Sequence, residues 1–241
     1  MTTKKKIYLF DFDGVLCDSI EECMIVSYNA YYGTSITNAD EIKPEGRSFF
    51  VKNRYLVRPA YEYLLLWEAY SNKAALNEEA FELLRKQHFK DSKAFHDAFF
   101  SHRGTLRKDI EHWISLHKTY ESTTQLMDID SEDIYIVTNK DKESVEKISS
   151  AHGYRHKIRD IYSKEISNDK RVLIKKLVAD YNIDLNECEL IFVDDNTGHL
   201  KDVGAMKELN ITALLAKWGY VDTTTTYHFK QINCLAEISN N

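Results

Sequence analysis

Four carboxylates and one hydroxyl stand at the ends of apolar runs that lie far apart in this sequence. They are Asp11, Asp13, Thr138, Asp194 and Asp195. Carboxylates that converge on one point repel each other and need a cation, and hard oxygen ligands suit Mg²⁺. A carboxylate is also a competent nucleophile toward phosphorus, and a second carboxylate two residues further on can serve as an acid and a base. These residue types therefore predict magnesium-dependent phosphoryl transfer, provided that the fold brings them together.

The apolar runs that precede these side chains are predicted to be buried strands. They are residues 7–10, 134–137, a weaker run at 158–162, 190–193 and a last run at 211–215. From about residue 130 onward, segments with helical spacing, among them residues 141–152, alternate with these runs, which is typical of an α/β fold with a doubly wound parallel sheet. The carboxyl ends of parallel strands meet at one edge of the sheet, where such folds bind ligands. We therefore expect the side chains to share one crevice.

A long helical stretch separates the first predicted strand from the others. Its apolar residues recur at helical spacing, as in Leu106, Ile110 and Trp113. We predict a Rossmann-like core formed by residues 1–17 and 117–241, and an inserted α-helical domain at 18–116.

Composition limits the classes of partner and compartment. The 241 residues carry a formal net charge of -6, with 43% hydrophobic and 29% charged residues, which argues against non-specific binding to nucleic acid or to an anionic membrane. The four cysteines form no metal-type pair, and the apolar run after the basic N-terminus is too short for a signal peptide. We expect a cytoplasmic monomer or homodimer that acts on a small phosphorylated molecule.

The segments around these residues resemble the motifs of the haloacid dehalogenase superfamily. The segment Asp11-Phe12-Asp13-Gly14-Val15 resembles its first motif, D-x-D-G-[TV], and Val137-Thr138-Asn139 resembles the second. Lys170, which lies 25 residues before Asp195, resembles the third motif, and Phe192-Val193-Asp194-Asp195 resembles the fourth. Trp218-Gly219-Tyr220 also resembles a recurrent feature of the family. At His199 many members carry an acidic residue, so this departure leaves a further metal-site carboxylate open, and Asp202 could partly compensate for it. We interpret His199 as a helix-face residue.

The resemblance implies a role for each matching position. Asp11 would be the nucleophile, Asp13 the general acid and base, and Lys170 a catalytic lysine. Thr138, Asn139 and Lys170 would hold the phosphoryl oxygens. Asp11, the main-chain carbonyl of Asp13 and Asp195, with Asp194 beside it, would bind Mg²⁺. Family members that cleave carbon–halogen or carbon–phosphorus bonds lack the second acidic residue, so Asp13 favours phosphate esters.

Two assignments stay open on the sequence. Lys164, Lys175 and Lys176 are alternatives to Lys170. The inserted domain would act as a cap over the site, and its Arg47 and Arg58 are candidate substrate contacts, although either can equally be a surface charge.

Three functions are compatible with these motifs. The first is a phosphomonoester hydrolase that works through an aspartyl phosphate on Asp11. The second is a sugar-phosphate phosphomutase, which would share every core residue. The third is a non-catalytic phosphate-binding module, which the presence of both Asp11 and Asp13 opposes.

Overall fold

The computed structural model describes residues 4–88, 90–129, 131–222 and 224–240. The chain divides into two compact units. The first comprises the chain up to Asp18 and from Lys118 onward, and the second is Ser19–His117. The junctions fall one residue away from the expected boundaries, because Asp18 belongs to the first unit and His117 to the second. Among the described residues, no helix is both long and apolar enough to cross a membrane.

The first unit contains all eight strands of the described chain. They are β1 (Lys5–Phe10), β2 (Cys17–Asp18), β3 (Lys118–Thr119), β4 (Ile134–Val137), β5 (Asp160–Tyr162), β6 (Cys188–Asp194), β7 (Ile211–Ala216) and β8 (Lys230–Ile232). Six of them form one parallel sheet in the order β5-β4-β1-β6-β7-β8. The chain therefore winds outward in both directions from β1, which confirms the doubly wound α/β fold.

The central strands are apolar and buried on both faces. In β1, Ile7, Leu9 and Phe10 are at most 3% exposed, as expected for a strand that helices cover on both sides. The predicted run at 134–137 is β4 without any change of bounds. The prediction that the run at 211–215 is the last strand was wrong, because β8 pairs with β7 beyond it. The sequence of β8, Lys-Gln-Ile, has two exposed polar residues and no apolar run that would have revealed it.

A short antiparallel ribbon joins the two places where the chain leaves and re-enters the first unit. In this ribbon β2 pairs with β3, Cys17 lying opposite Thr119 and Asp18 opposite Lys118. Both ends of the inserted segment are thereby fixed side by side.

The second unit is α-helical. Its helices are α1 (Ile20–Tyr32), α2 (Pro44–Asn53), α3 (Tyr63–Ser71), α4 (Glu78–Gln87), α5 (Ser92–Leu106) and α6 (Ile110–Ser115), with 3-10 turns at Ala39–Glu41, Arg54–Leu56 and Ala60–Glu62. Large aromatic side chains fill its centre: Phe50, Trp67, Phe81, Phe99 and Trp113 are fully buried. Such side chains each remove a large apolar area from water, which is the main stabilising term of a helical unit of this size.

The remaining helices belong to the first unit. They are α7 (Glu121–Thr124), α8 (Lys142–Ala151), α9 (Lys170–Asp180) and α10 (Thr197–Gly204), with 3-10 turns at Gln125–Asp128, Arg155–Lys157 and Leu235–Asn240. Polar side chains cap the first turn of three of them. Asp141 accepts a hydrogen bond from the amide of Ser144, Asp169 from that of Arg171, and Asn196 from those of Gly198 and His199. These caps satisfy amides that have no partner within the helix, so they fix where each helix begins at the edge of the sheet.

Candidate active site

Asp11 is the first residue after β1. Its amide donates to the carbonyl of Val193 at 2.9 Å, and its Oδ1 accepts a hydrogen bond from the amide of Phe12 at 2.7 Å. The residue is 7% exposed. Burial raises the pKa of Asp11, the negative charge of Asp194 raises it further, and the nearby Lys170 opposes both effects. An ionised, nucleophilic Asp11 therefore depends on positive charge supplied beside it.

Lys170, the first residue of α9, supplies part of that charge. Its Nζ lies 2.9 Å from Asp11 Oδ1 and 2.6 Å from Asp194 Oδ2, and the residue is 2% exposed. Burial by itself lowers the pKa of Lys170, but the two carboxylates outweigh it and the pKa is raised, so the group stays an ammonium. Of the alternative lysines, Lys175 pairs with Glu208 and Lys176 with Asp180 at exposed positions. Among these three, Lys170 is the one in contact with Asp11.

Asp194, the last residue of β6, is fully buried. Besides Lys170, its carboxylate accepts a hydrogen bond from the amide of Asn196 at 2.8 Å and lies 3.2 Å from His199 Nδ1. Burial raises the pKa of Asp194, but Lys170 and His199 together bring it below its usual range. Because its oxygens are engaged by protein groups, Asp194 is suited to hold Lys170 in place. The contact with His199 was missed on the sequence, where we had interpreted His199 as a helix-face residue.

The Asp195 side chain packs against two glycines that are distant in the sequence. A Cβ at Gly14 would stand 2.0 Å from Asp195 Oδ2, and a Cβ at Gly219 would stand 2.2 Å from the carbonyl oxygen of Gly14 and 2.4 Å from Asp195 Cβ. Gly14 also has a φ of +89°, which L side chains rarely adopt. The amide of Tyr220 donates to Asp195 Oδ2 at 2.6 Å. The segments around Gly14 and Gly219 thus pack on this carboxylate as only glycines can.

Asp13 has a buried partner that the sequence did not reveal. Lys140 Nζ lies 3.1 Å from Asp13 Oδ1 and 3.4 Å from its Oδ2. The Lys140 side chain is fully buried, whereas that of Asp13 is 16% exposed. A lysine just after a strand is usually a surface charge, so the only available signal was its place two residues after Thr138.

Thr138 and Asn139 follow β4. Thr138 is 1% exposed, and its Oγ1 accepts a hydrogen bond from the amide of Lys140 at 3.2 Å. Both polar atoms of the Asn139 side-chain amide are buried and lack a hydrogen-bond partner within the described part of the chain. A buried amide without a partner is costly, so Asn139 fits a position that a bound group would satisfy.

Arg47 and Arg58 lie in the helical unit. Arg47 forms an ion pair with Asp40, and the amide of Arg58 donates to Glu62 Oε2 at 2.9 Å. Both contacts are internal to that unit, and the assignment of either arginine to substrate stays a prediction.

The charges of the first unit's site fit a divalent cation. Four carboxylates, Asp11, Asp13, Asp194 and Asp195, are accompanied by the two buried ammonium groups of Lys140 and Lys170. Asp11, Asp194 and His199 form the only group of three candidate ligand side chains with atoms within 4.8 Å in the described residues. Because Lys170 contacts one oxygen of Asp11 and one of Asp194, this group holds the lysine. The second carboxylate oxygen of Asp11, the carboxylate of Asp195 and the main-chain carbonyl of Asp13 are hard oxygens that would suit Mg²⁺.

Comparison with known proteins gives a family match and structures of similar fold. The sequence profile of the haloacid dehalogenase-like hydrolase family matches residues 5–208. No curated protein sequence matches the chain.

Solved structures share the fold at low sequence identity. One, described as a predicted phosphatase, from Clostridium acetobutylicum, has a TM-score of 0.60 at 17% identity and covers 99% of this chain and 98% of its own. A haloacid dehalogenase-like family hydrolase from Streptococcus pneumoniae has a TM-score of 0.58 at 15% identity, covering 100% and 99%. A HAD-superfamily hydrolase of subfamily IA from Geobacter sulfurreducens has 0.57 at 13% identity, covering 99% of each. With the family profile spanning most of its length, the chain belongs to the haloacid dehalogenase-like hydrolases.

Proposed function

We propose that this hydrolase cleaves phosphate monoesters of small metabolites through a phosphoryl group carried on Asp11, with Mg²⁺ as its cofactor. The observation that carries the proposal concerns two carboxylates that lie two residues apart. Asp11 contacts the buried Lys170, and Asp13 contacts the buried Lys140. A nucleophile next to a cation and a separate acid–base group are what a two-step phosphoryl transfer requires. The similar structure from Clostridium acetobutylicum, described as a predicted phosphatase, supports the same reaction class.

In the first step, an Asp11 oxygen attacks phosphorus while the bond from phosphorus to the leaving oxygen breaks. Asp13 gives its proton to that oxygen, so the alcohol leaves neutral. Lys170 and Thr138 stabilise the negative charge on the transferring phosphoryl oxygens, and the unpartnered Asn139 amide can donate to one of them.

In the second step, Asp13 takes a proton from a water molecule whose oxygen attacks phosphorus. The bond between phosphorus and Asp11 breaks, inorganic phosphate leaves, and Asp11 is restored. Bound Mg²⁺, held by Asp11, Asp195 and the main-chain carbonyl of Asp13, would neutralise phosphoryl charge and keep Asp11 ionised despite its burial.

A phosphate-release screen over a panel of phosphorylated metabolites tests the proposal. We expect Mg²⁺-dependent release that a chelator abolishes. Asp11→Asn should lower turnover by roughly four orders of magnitude or more, as expected for loss of a nucleophile, while the circular dichroism spectrum stays that of the wild type. Full activity in Asp11→Asn would refute the mechanism, and an isomerised sugar phosphate in place of free phosphate would identify a phosphomutase.

A further inference from the structure

Lys140 is a buried lysine in the loop between β4 and α8. The residue is 3% exposed and its side chain is fully buried. Removing an ammonium from water costs several kcal/mol unless charges and hydrogen bonds compensate. An apolar side chain would fill the same space without that cost. The burial of Lys140 therefore calls for an explanation beyond packing.

The backbone on both sides of Lys140 is held firmly. Its amide donates to Thr138 Oγ1, and Thr138 is itself joined to the sheet through the carbonyl of Tyr162. On the other side, the Asp141 carboxylate caps α8 by accepting from the amide and the hydroxyl of Ser144 at 3.0 and 2.8 Å. The stem of Lys140 consequently starts from a fixed point, and its ammonium has a defined reach.

The contact at the far end of Lys140 involves both oxygens of Asp13, at 3.1 and 3.4 Å. A cation placed against both oxygens restricts rotation of the carboxylate plane. The two side chains differ in solvent exposure, because that of Lys140 is fully buried while that of Asp13 is 16% exposed. The lysine thus stands behind Asp13 and leaves the outer side of the carboxylate accessible.

We propose that Lys140 is a positioning residue, which orients the Asp13 carboxylate for its two proton transfers, to the leaving oxygen and from water. This inference rests on the proposed phosphatase function. The two buried lysines then have separate roles. Lys170 contacts the nucleophile and stabilises the charge of the phosphoryl group, whereas Lys140 orients the residue that transfers protons.

Two substrates with different leaving groups separate these roles. p-Nitrophenolate departs without protonation, whereas the alkoxide of a primary alkyl phosphate requires it. In Lys140→Met we expect kcat/KM for the alkyl phosphate to fall about 100-fold, the lower range for loss of general acid catalysis. The value for p-nitrophenyl phosphate should change less than about 5-fold, because its first step needs no proton. The second step still needs Asp13 as a base, so p-nitrophenyl phosphate should give a burst of nitrophenolate stoichiometric with the enzyme.

The matched variants are Lys140→Arg, which should recover part of the alkyl phosphate activity, and Lys142→Met, which should behave as the wild type. Lys142 is the next lysine along the chain, is 46% exposed and pairs with Asp160. An equal loss on both substrates, or no loss on either, would overturn the proposal while leaving the phosphatase function intact.

A measurement that does not depend on turnover completes the test. A crystal structure of Lys140→Met, or of Lys140→Gln if the methionine variant does not fold, should show the Asp13 carboxylate rotated away from its wild-type orientation. An unmoved carboxylate would overturn the inference. Absence of phosphate release from every substrate in the wild type would instead refute the proposed function, and with it the role of Lys140 in proton transfer, whatever the position of Asp13.

Discussion

Each unit of this hydrolase buries a cluster of charged side chains. The two clusters differ in the ratio of carboxylates to cations. In the helical unit, Glu22 and Arg103 are both almost inaccessible and meet at 2.7 and 2.8 Å through two parallel contacts. Trp113 Nε1 donates to the same carboxylate at 3.3 Å. In the sheet unit, Lys170 shares one ammonium between Asp11 and Asp194.

The difference shows how a structural ion pair and a functional one can be told apart. A bidentate arginine–carboxylate pair is neutral and needs nothing further. The negative charge of a cluster with more carboxylates than cations is relieved by a further cation or by protonation of a carboxylate, so such a cluster is suited to bind a metal ion. Four predictions test this distinction, beginning with the largest expected effect.

Replacing the shared lysine should affect chemistry more than stability. Lys170→Met should lower kcat/KM about 1,000-fold, or about 4 kcal/mol, as expected when a group that stabilises transition-state charge is lost. Folding stability should fall less than in Arg103→Met, because Asp11, whose pKa burial already raises, can take up a proton. The control is Lys175→Met, at an exposed pair with Glu208, and it should be fully active. Full activity in Lys170→Met would remove the lysine from the site.

Breaking the balanced pair should have the opposite effect. Arg103→Met leaves the charge of Glu22 buried without its guanidinium and should destabilise the protein by about 3 kcal/mol, measured by urea unfolding. The double variant Glu22→Leu with Arg103→Met removes both charges and should recover much of the loss. If Arg103→Met unfolded at the wild-type urea concentration, the pair would not be structural.

The glycine packing around Asp195 should govern metal affinity. In Gly219→Ala the new Cβ would overlap the carbonyl of Gly14 and Asp195 itself, so the carboxylate must move. We expect Mg²⁺ to bind about 10- to 100-fold more weakly, the range seen when groups that orient a ligand are disturbed, so that phosphate release requires a correspondingly higher Mg²⁺ concentration. Gly204→Ala, where nothing lies within 4 Å of the added Cβ, should leave that dependence unchanged.

A third cluster, in which a buried carboxylate meets two exposed cations, should matter least. Asp133 pairs with Lys5 and Arg159, whose side chains are 65% and 44% exposed. Burial would raise the pKa of Asp133, but Lys5 and Arg159 lower it. A lowered carboxyl pKa gives stability that is present above the unfolded value and is lost as the pH falls through the folded one. Asp133→Asn should cost about 1 kcal/mol or less near neutral pH, and wild type and variant should converge in acid. A constant difference at all pH values would assign the effect to packing.

The sequence predicted those parts of the molecule that leave a local pattern. β1, β4 and β6 each contain an uninterrupted apolar run of four buried residues, so their positions, and with them those of Asp11, Thr138 and Asp194, follow from burial on both faces. The doubly wound fold was predicted for the same reason.

What the sequence could not reveal depends on contacts between distant residues. Glu22 and Arg103 are 81 positions apart, and neither differs in type from a surface charge. Lys140 and His199 likewise look like exposed polar residues until the fold places a carboxylate beside each of them. β8 was not predicted because it is a strand through its pairing with β7, and its own composition does not indicate one.

The ribbon of β2 and β3 makes the helical unit an exchangeable module. Because Cys17 and Thr119 face each other in a β-pair, the segment between them can in principle be replaced by a short hairpin loop without stretching the sheet unit. Closing a loop between ends that are already adjacent costs little chain entropy. The same geometry lets insertions of very different length be accommodated at this point, so a lineage can change the helical unit while the carboxylates and lysines of the sheet unit stay as they are.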